Sequence, residues 1–452
     1  MNYRQALDFV LGFADFEVAN PDRLRYRDFN LERVRELLSR VGNPHLGPAT
    51  VHVAGTKGKG STTAMVASVL SATGHRTGRY TSPHLHSLRE RIAIDGAPIE
   101  EGAFADGIDA LREAVAGVNN LERYGRISTF EALTALAFLA FTRAGVTHSV
   151  IEVGLGGRLD ATNVVDPVAC AVTNVSLDHM DVLGDTLAQI ATEKAAIIKP
   201  GVPVVSGPQT TEALEVIELV ASDRGAPLTL VGRDIAWNRT RLDGAGQRFN
   251  VKTARDEYDL WMPLLGAHQR DNAAVAVGVC EALTDRGIAL SHEGIVEGLA
   301  RVSWPGRLEV LSRRPLVVAD GAHNPHSIRC LLRALEESFQ FERAVVVFGA
   351  TKTKNVGGMI DELARLPATV LVTESRHPRS AGVLELYGDV ASRGIAVDRA
   401  EDVAAVLAMA RRLAGENDLV LVTGSLFVVA EAREAMLGVT PELYSEAGAL
   451  TV

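Results

Sequence analysis

The chain has few of the features that mark secreted, membrane-spanning or thiolate-metal proteins. Its 452 residues include only three cysteines, Cys170, Cys280 and Cys330, which lie far apart and form no CxxC pair. This spacing indicates neither a disulfide framework nor a thiolate zinc site. No apolar run approaches the roughly 20 residues that cross a bilayer, and the first residues lack the basic start and long apolar stretch of a secretion signal. We therefore expect a cytoplasmic protein without a membrane partner.

The chain also lacks an excess of basic residues. Its 46 Lys and Arg residues are outnumbered by 56 Asp and Glu residues, which gives a formal net charge of -10. Nonspecific attraction to nucleic acid normally needs a basic face, so we expect no nucleic-acid partner. Any anionic ligand must be held by local groups. Hydrophobic residues make up 47% of the chain, enough to build a core in each of two domains.

Strand-like apolar runs alternate with helix-period segments along most of the chain. In the first part the strands are expected at 50–55, 148–154, 169–176 and 203–207, and the helices at 61–74, 130–145 and 186–201. The alternation predicts an α/β fold, a parallel sheet with helices on both faces. A second alternating series after Trp304 predicts a smaller, Rossmann-like α/β domain. We expect domains at 1–303 and 304–452, with a small β insertion at 228–262.

The strongest local motif is GTKGKGST at 55–62, which follows an apolar strand and opens a helix. In that context backbone N–H groups can surround phosphate oxygens, the Lys59 ammonium can reach the β and γ phosphates, and a hydroxyl can face magnesium. A glycine-rich turn without a ligand is the alternative, which the flanking strand and helix disfavour. The first domain is thus predicted to be P-loop NTPase-like. Its predicted ATP-binding loop residues are Gly55, Thr56, Gly58, Lys59, Gly60, Ser61 and Thr62.

Glu152 ends a neighbouring apolar strand in the segment VIEVGLGG. Phosphoryl transfer needs a cation at the phosphates, and a carboxylate at such a strand end is a common ligand for it. A lone glutamate in this place could equally be a solvated edge residue. Because the phosphate loop is present, we predict that Glu152 is a magnesium ligand.

The loop departs from the common GxxxxGK[ST] form, because Gly60 separates Lys59 from Ser61. In this form it resembles the phosphate loop of the Mur ligase family and, within it, of the folylpolyglutamate synthases. Most of these relatives carry Asn at the position of Lys57, so this chain adds a charge beside the cradle. The similarity runs along almost the whole chain and implies roles for residues at the metal site, on the nucleotide side and on the substrate side.

Three segments resemble the family's metal site: TSPH at 81–84, SLDHMDVLG at 176–184 and TEKAAIIKPG at 192–201. They imply two magnesium ions. Ser82 would bind one ion together with Glu152, and His179 would bind the second. Lys194 stands where relatives carry a carbamylated lysine that supports the second metal. On residue chemistry alone, His179 could be a capping or core histidine and Lys194 a solvated helix residue.

On the nucleotide side, the similar segments are HQRDNAAVA, WPGRLE and DGAHNP. They imply that Asn272 meets the adenine, Arg307 a phosphate of ATP and Asp320 the ribose. His323 would lie close to the acyl phosphate and the incoming amino acid, and the same segment also reads as a tight turn. One departure occurs at 349–355, where many relatives show an Asp-Lys-Asp run and only Lys354 matches.

On the substrate side, the resemblance implies a pterin-substrate role for Arg91 and a dihydropteroate role for Asp160. His84 stands where some relatives place a stacking aromatic. A surface salt bridge is the alternative for Arg91, which lies in a charged run. Planar guanidinium groups suit carboxylates, so the candidates for binding the glutamate carboxylates are Arg376, His377 and Arg379.

Together these features imply a ligase that uses ATP and magnesium to join L-glutamate to folates through an acyl phosphate. The expected catalytic residues are Lys59, His323 and Lys194, and the expected state is a monomer. Whether dihydropteroate is also a substrate stays open. One alternative is a cell-wall amino-acid ligase of the same superfamily. Such ligases usually carry an extra N-terminal domain, and we expect no room for it before a phosphate loop that begins at residue 55. The other is a nucleotide-dependent switch, which would release phosphate without needing both folate and glutamate.

Overall fold

The structure, a computed structural model, describes residues 1–14, 29–121, 123–242 and 245–443. Its first domain contains, in chain order, α1 (Tyr3–Leu11), α2 (Leu31–Arg40), β1 (Ala49–Ala54), α3 (Lys59–Ala72), β2 (Thr77–Tyr80), β3 (Ile92–Ile94), β4 (Ala97–Pro98), α4 (Glu101–Asn119), α5 (Thr129–Arg143), β5 (His148–Glu152), β6 (Ala169–Val172), α6 (Met180–Leu183), α7 (Leu187–Ala195), β7 (Val204–Ser206), α8 (Thr211–Asp223), β8 (Leu228–Leu230), β9 (Ala236–Leu242), β10 (Gln247–Lys252), β11 (Glu257–Met262), α9 (Ala267–Asp285) and α10 (His292–Ala300).

The main sheet of the first domain has eight strands in the order β4-β3-β2-β5-β1-β6-β7-β8. The strands from β2 to β8 in this order are parallel, and β3 and β4 form an antiparallel edge. Strand β1 lies near the middle, with Val51 paired to Val150 on one side and to Ala169 on the other. Apolar clusters cover both faces of the sheet. The predicted parallel sheet with helices on both faces is confirmed.

The β insertion is smaller than predicted. Strand β8, which was expected to belong to it, pairs in parallel with β7 through Val204 and Leu228 and forms the edge of the main sheet. Only β9, β10 and β11 form a separate antiparallel sheet. Helix α7 is also shorter than the predicted 186–201 and ends at Ala195. The sequence Lys199-Pro200 explains this early end in part, because proline disfavours helical backbone in the residue before it.

A buried ion pair joins α2 to α5. The Arg33 guanidinium donates to Glu131 over 2.7 Å through Nη2 and over 2.9 Å through Nε. Both side chains are more than nine-tenths buried. The backbone N–H and hydroxyl of Ser128, the N-cap of α5, also donate to Glu131. The hydrogen bonds offset the cost of burying both charges.

The second domain contains β12 (Glu309–Arg313), β13 (Leu316–Ala319), α11 (Pro325–Ser338), β14 (Ala344–Phe348), α12 (Val356–Leu363), β15 (Ala368–Val372), α13 (Val383–Ala391), β16 (Val397–Arg399), α14 (Val403–Leu413), β17 (Leu419–Thr423) and α15 (Leu426–Leu437). Its sheet has the order β12-β13-β17-β14-β15-β16, parallel except for β12. Apolar clusters again cover both faces. The Rossmann-like second domain is therefore as predicted.

One contact fixes the connection between the domains, and another joins the domains themselves. In the connection after α10, Leu308 is buried and takes a left-handed backbone conformation with φ 46°, and its N–H donates to Oδ2 of Asp320 over 2.8 Å. Beyond α15, Glu442 accepts hydrogen bonds from the Tyr3 hydroxyl and the Leu88 N–H of the first domain. None of the helices in the described ranges combines the length and apolarity needed to span a bilayer.

Candidate active site

The phosphate loop is fixed by the end of β6. Gly55 and Gly58 have φ values of +149° and +89°, a region that favours glycine. A Cβ on Gly55 would come within 1.8 Å of the Thr173 hydroxyl oxygen, so this position accepts no side chain. The Thr56 N–H donates to the Asn174 carbonyl over 2.7 Å. Contacts within the chain therefore fix the shape of the loop, whose last residues, from Lys59 onward, form the first turn of α3.

Helix α9 supports the loop from behind. Oδ1 of Asn272 would lie only 2.3 Å from a Cβ on Gly58. Its amide donates to Gln269 over 3.0 Å, and Gln269 in turn donates to the Ser61 hydroxyl over 3.3 Å. Thr62 is buried, and its hydroxyl has no hydrogen-bond partner among the described residues. Asn272 thus lies at the phosphate loop, while its contact with adenine stays a prediction.

Glu152 and Ser82 lie together beside the loop. Oε2 of Glu152 accepts the Ser82 N–H over 3.2 Å and would lie 3.3 Å from a Cβ on Gly60. Burial raises the pKa of Glu152 to about 7, although the Lys59 ammonium and the Ser82 N–H oppose the shift. Since its side chain is only 5% exposed, the solvated-edge alternative is wrong. A buried carboxylate with a neighbouring hydroxyl fits the oxygen-donor preference of magnesium.

His179 and Lys194 have different environments. His179 takes φ 52°, leaves about half of its side chain exposed and lies 3.9 Å from Asp178. Lys194 on α7 is only 4% exposed, and burial together with the Lys59 charge lowers its pKa to about 7. The solvated-helix alternative for Lys194 is therefore wrong. Within the described residues, no three His, Cys, Asp or Glu side chains are arranged to hold one metal ion.

A cluster of charges at this edge was missed from the sequence. The Lys57 ammonium donates to Oδ2 of Asp178 over 2.9 Å and to Nε2 of His323 over 3.1 Å. Lys354 lies 3.7 Å from the other Asp178 oxygen. Burial alone would raise the pKa of Asp178, but the two lysines and His179 hold it well below its usual range. The only available signal was the position of Asp178 next to His179 in SLDHMDVLG.

The turn of the second domain that carries His323 is organised by Asp320. Its carboxylate accepts the N–H groups of Leu308 and Ala322, each over 2.8 Å. Burial raises the pKa of Asp320, and the nearby Arg307 charge opposes the shift. His323 is held through Nδ1, which lies 2.8 Å from the Gly321 carbonyl oxygen. The predicted ribose and phosphate contacts of Asp320 and Arg307 stay predictions.

Arg91 and His84 contact each other, since Nε of Arg91 donates to Nδ1 of His84 over 3.1 Å. Arg91 is 5% exposed, so the surface salt-bridge alternative is wrong. Asp160 has a local role. It accepts the N–H groups of Leu155 and Thr162 over 2.9 and 3.0 Å and is buried. Asp160 therefore shapes its own loop, and its predicted contact with dihydropteroate stays a prediction.

The three candidates for glutamate binding lie beside α15. The Arg376 N–H donates to Glu431 over 2.7 Å, and its guanidinium is hydrogen-bonded to Glu434. The His377 ring stacks on Phe427 with centroids 3.8 Å apart. The N–H of Arg379 donates to Nδ1 of His377 over 3.2 Å. The predicted carboxylate-binding arginine at 376 thus already pairs with carboxylates of its own chain.

These residues face the loop that carries His84. Burial holds the pKa of His84 well below its usual range, and the charges of Arg91, His86 and His377 add to the shift. Glu434 links the two domains directly, because it contacts Arg376 and also lies 3.2 Å from Nδ1 of His86. His84 and His377, one from the predicted folate side and one from the predicted glutamate side, are therefore close enough across the domain interface for their charges to interact.

Comparison with known proteins identifies the family. A Mur ligase middle domain model matches residues 53–280, and a model for the Mur ligase, glutamate ligase domain matches residues 306–426. The chain belongs to the Mur ligase family. Among Mur ligase relatives, the dihydrofolate synthase/folylpolyglutamate synthase of Bacillus subtilis (strain 168) is 37% identical over 410 residues, covering 90% of this chain and 94% of the relative. The folylpolyglutamate synthase of Lacticaseibacillus casei is 34% identical over 445 residues, covering 97% and 99%.

Solved structures agree. Mycobacterium tuberculosis folylpolyglutamate synthase complexed with ADP superposes with a TM-score of 0.88 at 32% identity, covering 97% of this chain and 99% of that one. An FPGS-AMPPCP-folate complex superposes with a TM-score of 0.83 at 32% identity, covering 97% and 100%. The predicted Mur ligase fold and the predicted ATP-dependent ligase class are confirmed.

Proposed function

We propose that this Mur ligase joins L-glutamate to folates through an acyl phosphate formed with ATP. The observation that carries the proposal is the contact between Lys57 of the phosphate loop and His323 of the second domain. This contact puts His323, which is predicted to lie close to the acyl phosphate and the incoming amino acid, beside the loop that is predicted to bind the phosphates of ATP. The relatives named as folylpolyglutamate synthases, and the one solved with AMPPCP and folate, support the substrate class.

The first step is phosphoryl transfer. The loop N–H groups and Lys59 bind the triphosphate, and a folate carboxylate oxygen attacks the γ phosphorus while ADP leaves. Ser82 and Glu152 would hold magnesium, because the buried Glu152 carboxylate and the Ser82 hydroxyl are the oxygen donors that suit it. When bound, the metal supplies positive charge that neutralises the phosphates as the two anions meet. The burial of Glu152 disfavours its charged form, so a nearby cation would offset that cost.

The second step is amide formation. The amine nitrogen of glutamate attacks the acyl carbon, the carbon–oxygen bond to phosphate breaks, and phosphate leaves. Burial and the Lys57 charge hold the pKa of His323 well below its usual range, so its ring is neutral near pH 7 and Nε2 has a lone pair. Once the amine has displaced Lys57 from Nε2, one cause of the lowered pKa is removed, and His323 can accept the proton that the ammonium group must lose before attack.

Phosphate release tests the function. The wild-type chain should release phosphate from ATP only when glutamate and a folate or dihydropteroate are both present. Comparing dihydropteroate with a reduced folate decides whether the chain has both activities. Glu152→Gln should lower kcat about 100-fold or more, since several kcal/mol of charge stabilisation are at stake. Asp223→Asn, an exposed change at the end of α8, is the control. Release without glutamate would favour the switch alternative.

We further propose that Lys194 is carbamylated and supports a second magnesium ion beside His179. Reaction with carbon dioxide requires an uncharged amine, and a lysine whose pKa is about 7 is uncharged in a large fraction of molecules at neutral pH. Protein exchanged into ¹³C-bicarbonate should give one carbamate signal that Lys194→Arg abolishes and Lys199→Arg retains. A spectrum without that signal in the wild-type protein would contradict the proposal.

We also propose that the protein is a monomer, that it is cytoplasmic, and that its domain boundary lies near residue 303. Helix α10 of the first domain ends at Ala300, and strand β12 of the second domain begins at Glu309. These positions support the boundary. Light scattering during gel filtration measures the mass in solution, and limited proteolysis would test whether cleavage occurs first in this connection.

A further inference from the structure

Lys57 connects the phosphate loop to the second domain. Its backbone is fixed, because the Thr173 hydroxyl donates to the Lys57 carbonyl over 2.7 Å and Lys57 forms an antiparallel bridge with Asn174. Its ammonium is fixed as well, by Asp178 at 2.9 Å and by Nε2 of His323 at 3.1 Å. A lysine held at both ends presents its charge in one place, which a free, flexible lysine does not.

The two hydrogen bonds of His323 select one tautomer. The Gly321 carbonyl, 2.8 Å from Nδ1, can only accept, so Nδ1 carries the hydrogen. The Lys57 ammonium can only donate, so Nε2 must be the nitrogen with the lone pair. The ring is therefore neutral and its lone pair points at the phosphate loop.

We propose that Lys57 is a positioning residue for the amide-forming step, which holds the Nε2 lone pair of His323 toward the phosphate loop in the tautomer that the Gly321 carbonyl selects. The inference rests on the proposed function, because it is there that His323 accepts a proton from the amine. The ammonium of glutamate takes the place of Lys57 at Nε2 and gives up one proton. The freed nitrogen lone pair then attacks the acyl carbon, and the second proton leaves with the phosphate.

The surroundings of Lys57 allow this role to be tested by mutation. Asp178 keeps a second cation, Lys354, 3.7 Å from its other oxygen. Removing the Lys57 charge therefore does not leave a buried carboxylate without any cation, and the fold should survive. About a quarter of the Lys57 side chain is exposed, so a methionine of similar length fits the same space.

The first measurement needs no catalysis. In protein labelled with ¹⁵N-histidine, the imidazole nitrogen shifts distinguish the tautomers, and His323→Asn identifies the signals of His323. The wild-type chain and Lys57→Arg should show His323 with hydrogen on Nδ1 alone. Lys57→Met should keep this tautomer, because the Gly321 carbonyl still accepts from Nδ1, but its Nε2 signal should shift, because the ammonium no longer donates to that nitrogen. The control is Lys252→Met, an exposed change on β10, which should leave the signals unchanged. A wild-type pattern in Lys57→Met would overturn the proposal.

The second measurement separates the two chemical steps. Lys57→Met should lower kcat for glutamate addition about 10- to 100-fold, because a misplaced group can cost that much. Exchange of ¹⁸O between the bridging and non-bridging positions of ATP, measured with folate but without glutamate, should change less than about twofold. Lys57→Arg should restore most of kcat.

Equal losses in both steps, or an arginine variant no better than methionine, would refute the positioning role. A wild-type chain that releases no phosphate with any folate refutes the proposed function instead. The ¹⁵N measurement then still tests whether Lys57 holds Nε2 of His323.

Discussion

Trp304 lies directly against Gly60 of the phosphate loop. A Cβ on Gly60 would come within 2.6 Å of Cζ2 of the indole ring. The indole ring also meets a cation, because the Arg79 guanidinium lies 5.0 Å from the ring centroid, a distance typical of a cation–π contact. The connection between the two domains therefore packs on the loop that is proposed to bind the triphosphate.

Gly60→Ala should displace Trp304 and weaken nucleotide binding. The added methyl group overlaps the ring, so either the indole or the loop must shift. We expect a loss of about tenfold or more in AMPPCP affinity by calorimetry, with a changed tryptophan emission spectrum. Gly388→Ala is the matched control, since Gly388 is an exposed helical glycine whose Cβ would meet nothing within 4 Å among the described residues. It should raise the free energy of unfolding by about 0.5–1 kcal/mol. Unchanged affinity and emission in Gly60→Ala would contradict the steric argument.

Arg33→Met should destabilise the first domain by about 3–5 kcal/mol in chemical denaturation, because it leaves Glu131 as a buried charge without its partner. The control is Arg35→Met. Arg35 pairs with Glu32 on the same helix, but both side chains are at least half exposed, so the loss should stay below about 1 kcal/mol. Similar losses in the free energy of unfolding for the two variants would show that the buried pair stabilises the fold no more than the exposed pair does.

His52 should make the first domain sensitive to acid. The residue is fully buried on β1; its Nε2 lies 2.8 Å from the Thr162 hydroxyl, and its Nδ1 has no hydrogen-bond partner among the described residues. Burial lowers its pKa from 6.5 to about 3. Between these values the unfolded chain binds more protons than the folded chain, so the folded state loses stability as pH falls. The loss approaches about 1.4 kcal/mol per pH unit.

The acid sensitivity is measured as a difference between proteins. We expect the free energy of unfolding of the wild-type chain to fall between pH 6.5 and 4.5 more steeply than that of His52→Gln, by up to about 2–3 kcal/mol over the range. Contributions of other groups cancel in this comparison. His75→Gln serves as the control. Parallel curves for the wild type and His52→Gln would refute the prediction.

Glu434 should compete with glutamate for Arg376. If Arg376 binds a carboxylate of the incoming amino acid, as its residue type predicts, that carboxylate must replace Glu434. Arg376→Gln should then raise KM for glutamate about tenfold, the worth of one charge-assisted hydrogen bond, and Glu434→Gln should lower it. Arg393→Gln, which removes a pair with the exposed Asp361, should change neither. A raised KM in both Arg376→Gln and Glu434→Gln would show instead that the pair holds the domains together.

The fold was largely predictable because its signals are local. The apolar runs that end before Gly55 and at Glu152, the first followed and the second preceded by a helix pattern, identify parallel strands whose carboxyl ends share one edge of the sheet. The assignment of β8 failed, because a three-residue strand reads the same at a sheet edge as in an insertion. The partners of Lys57 could not be predicted either, since 266 positions separate Lys57 from His323 and only the packing of two domains brings them together. The pairing of Arg376 with Glu431 and Glu434 of α15 was hidden because 55 and 58 positions separate these residues, and only the folding of the second domain brings them together.

The backbone of Leu308 carries a further consequence for protein engineering. Left-handed backbone costs a leucine about 1–2 kcal/mol, and here the Asp320 carboxylate and the burial of the Leu308 side chain hold it in place. Leu308 takes the unfavourable conformation, and Asp320 holds it there through the hydrogen bond. A chimera between this chain and a relative should therefore take both positions from the same parent, which places the safer crossover before Leu308.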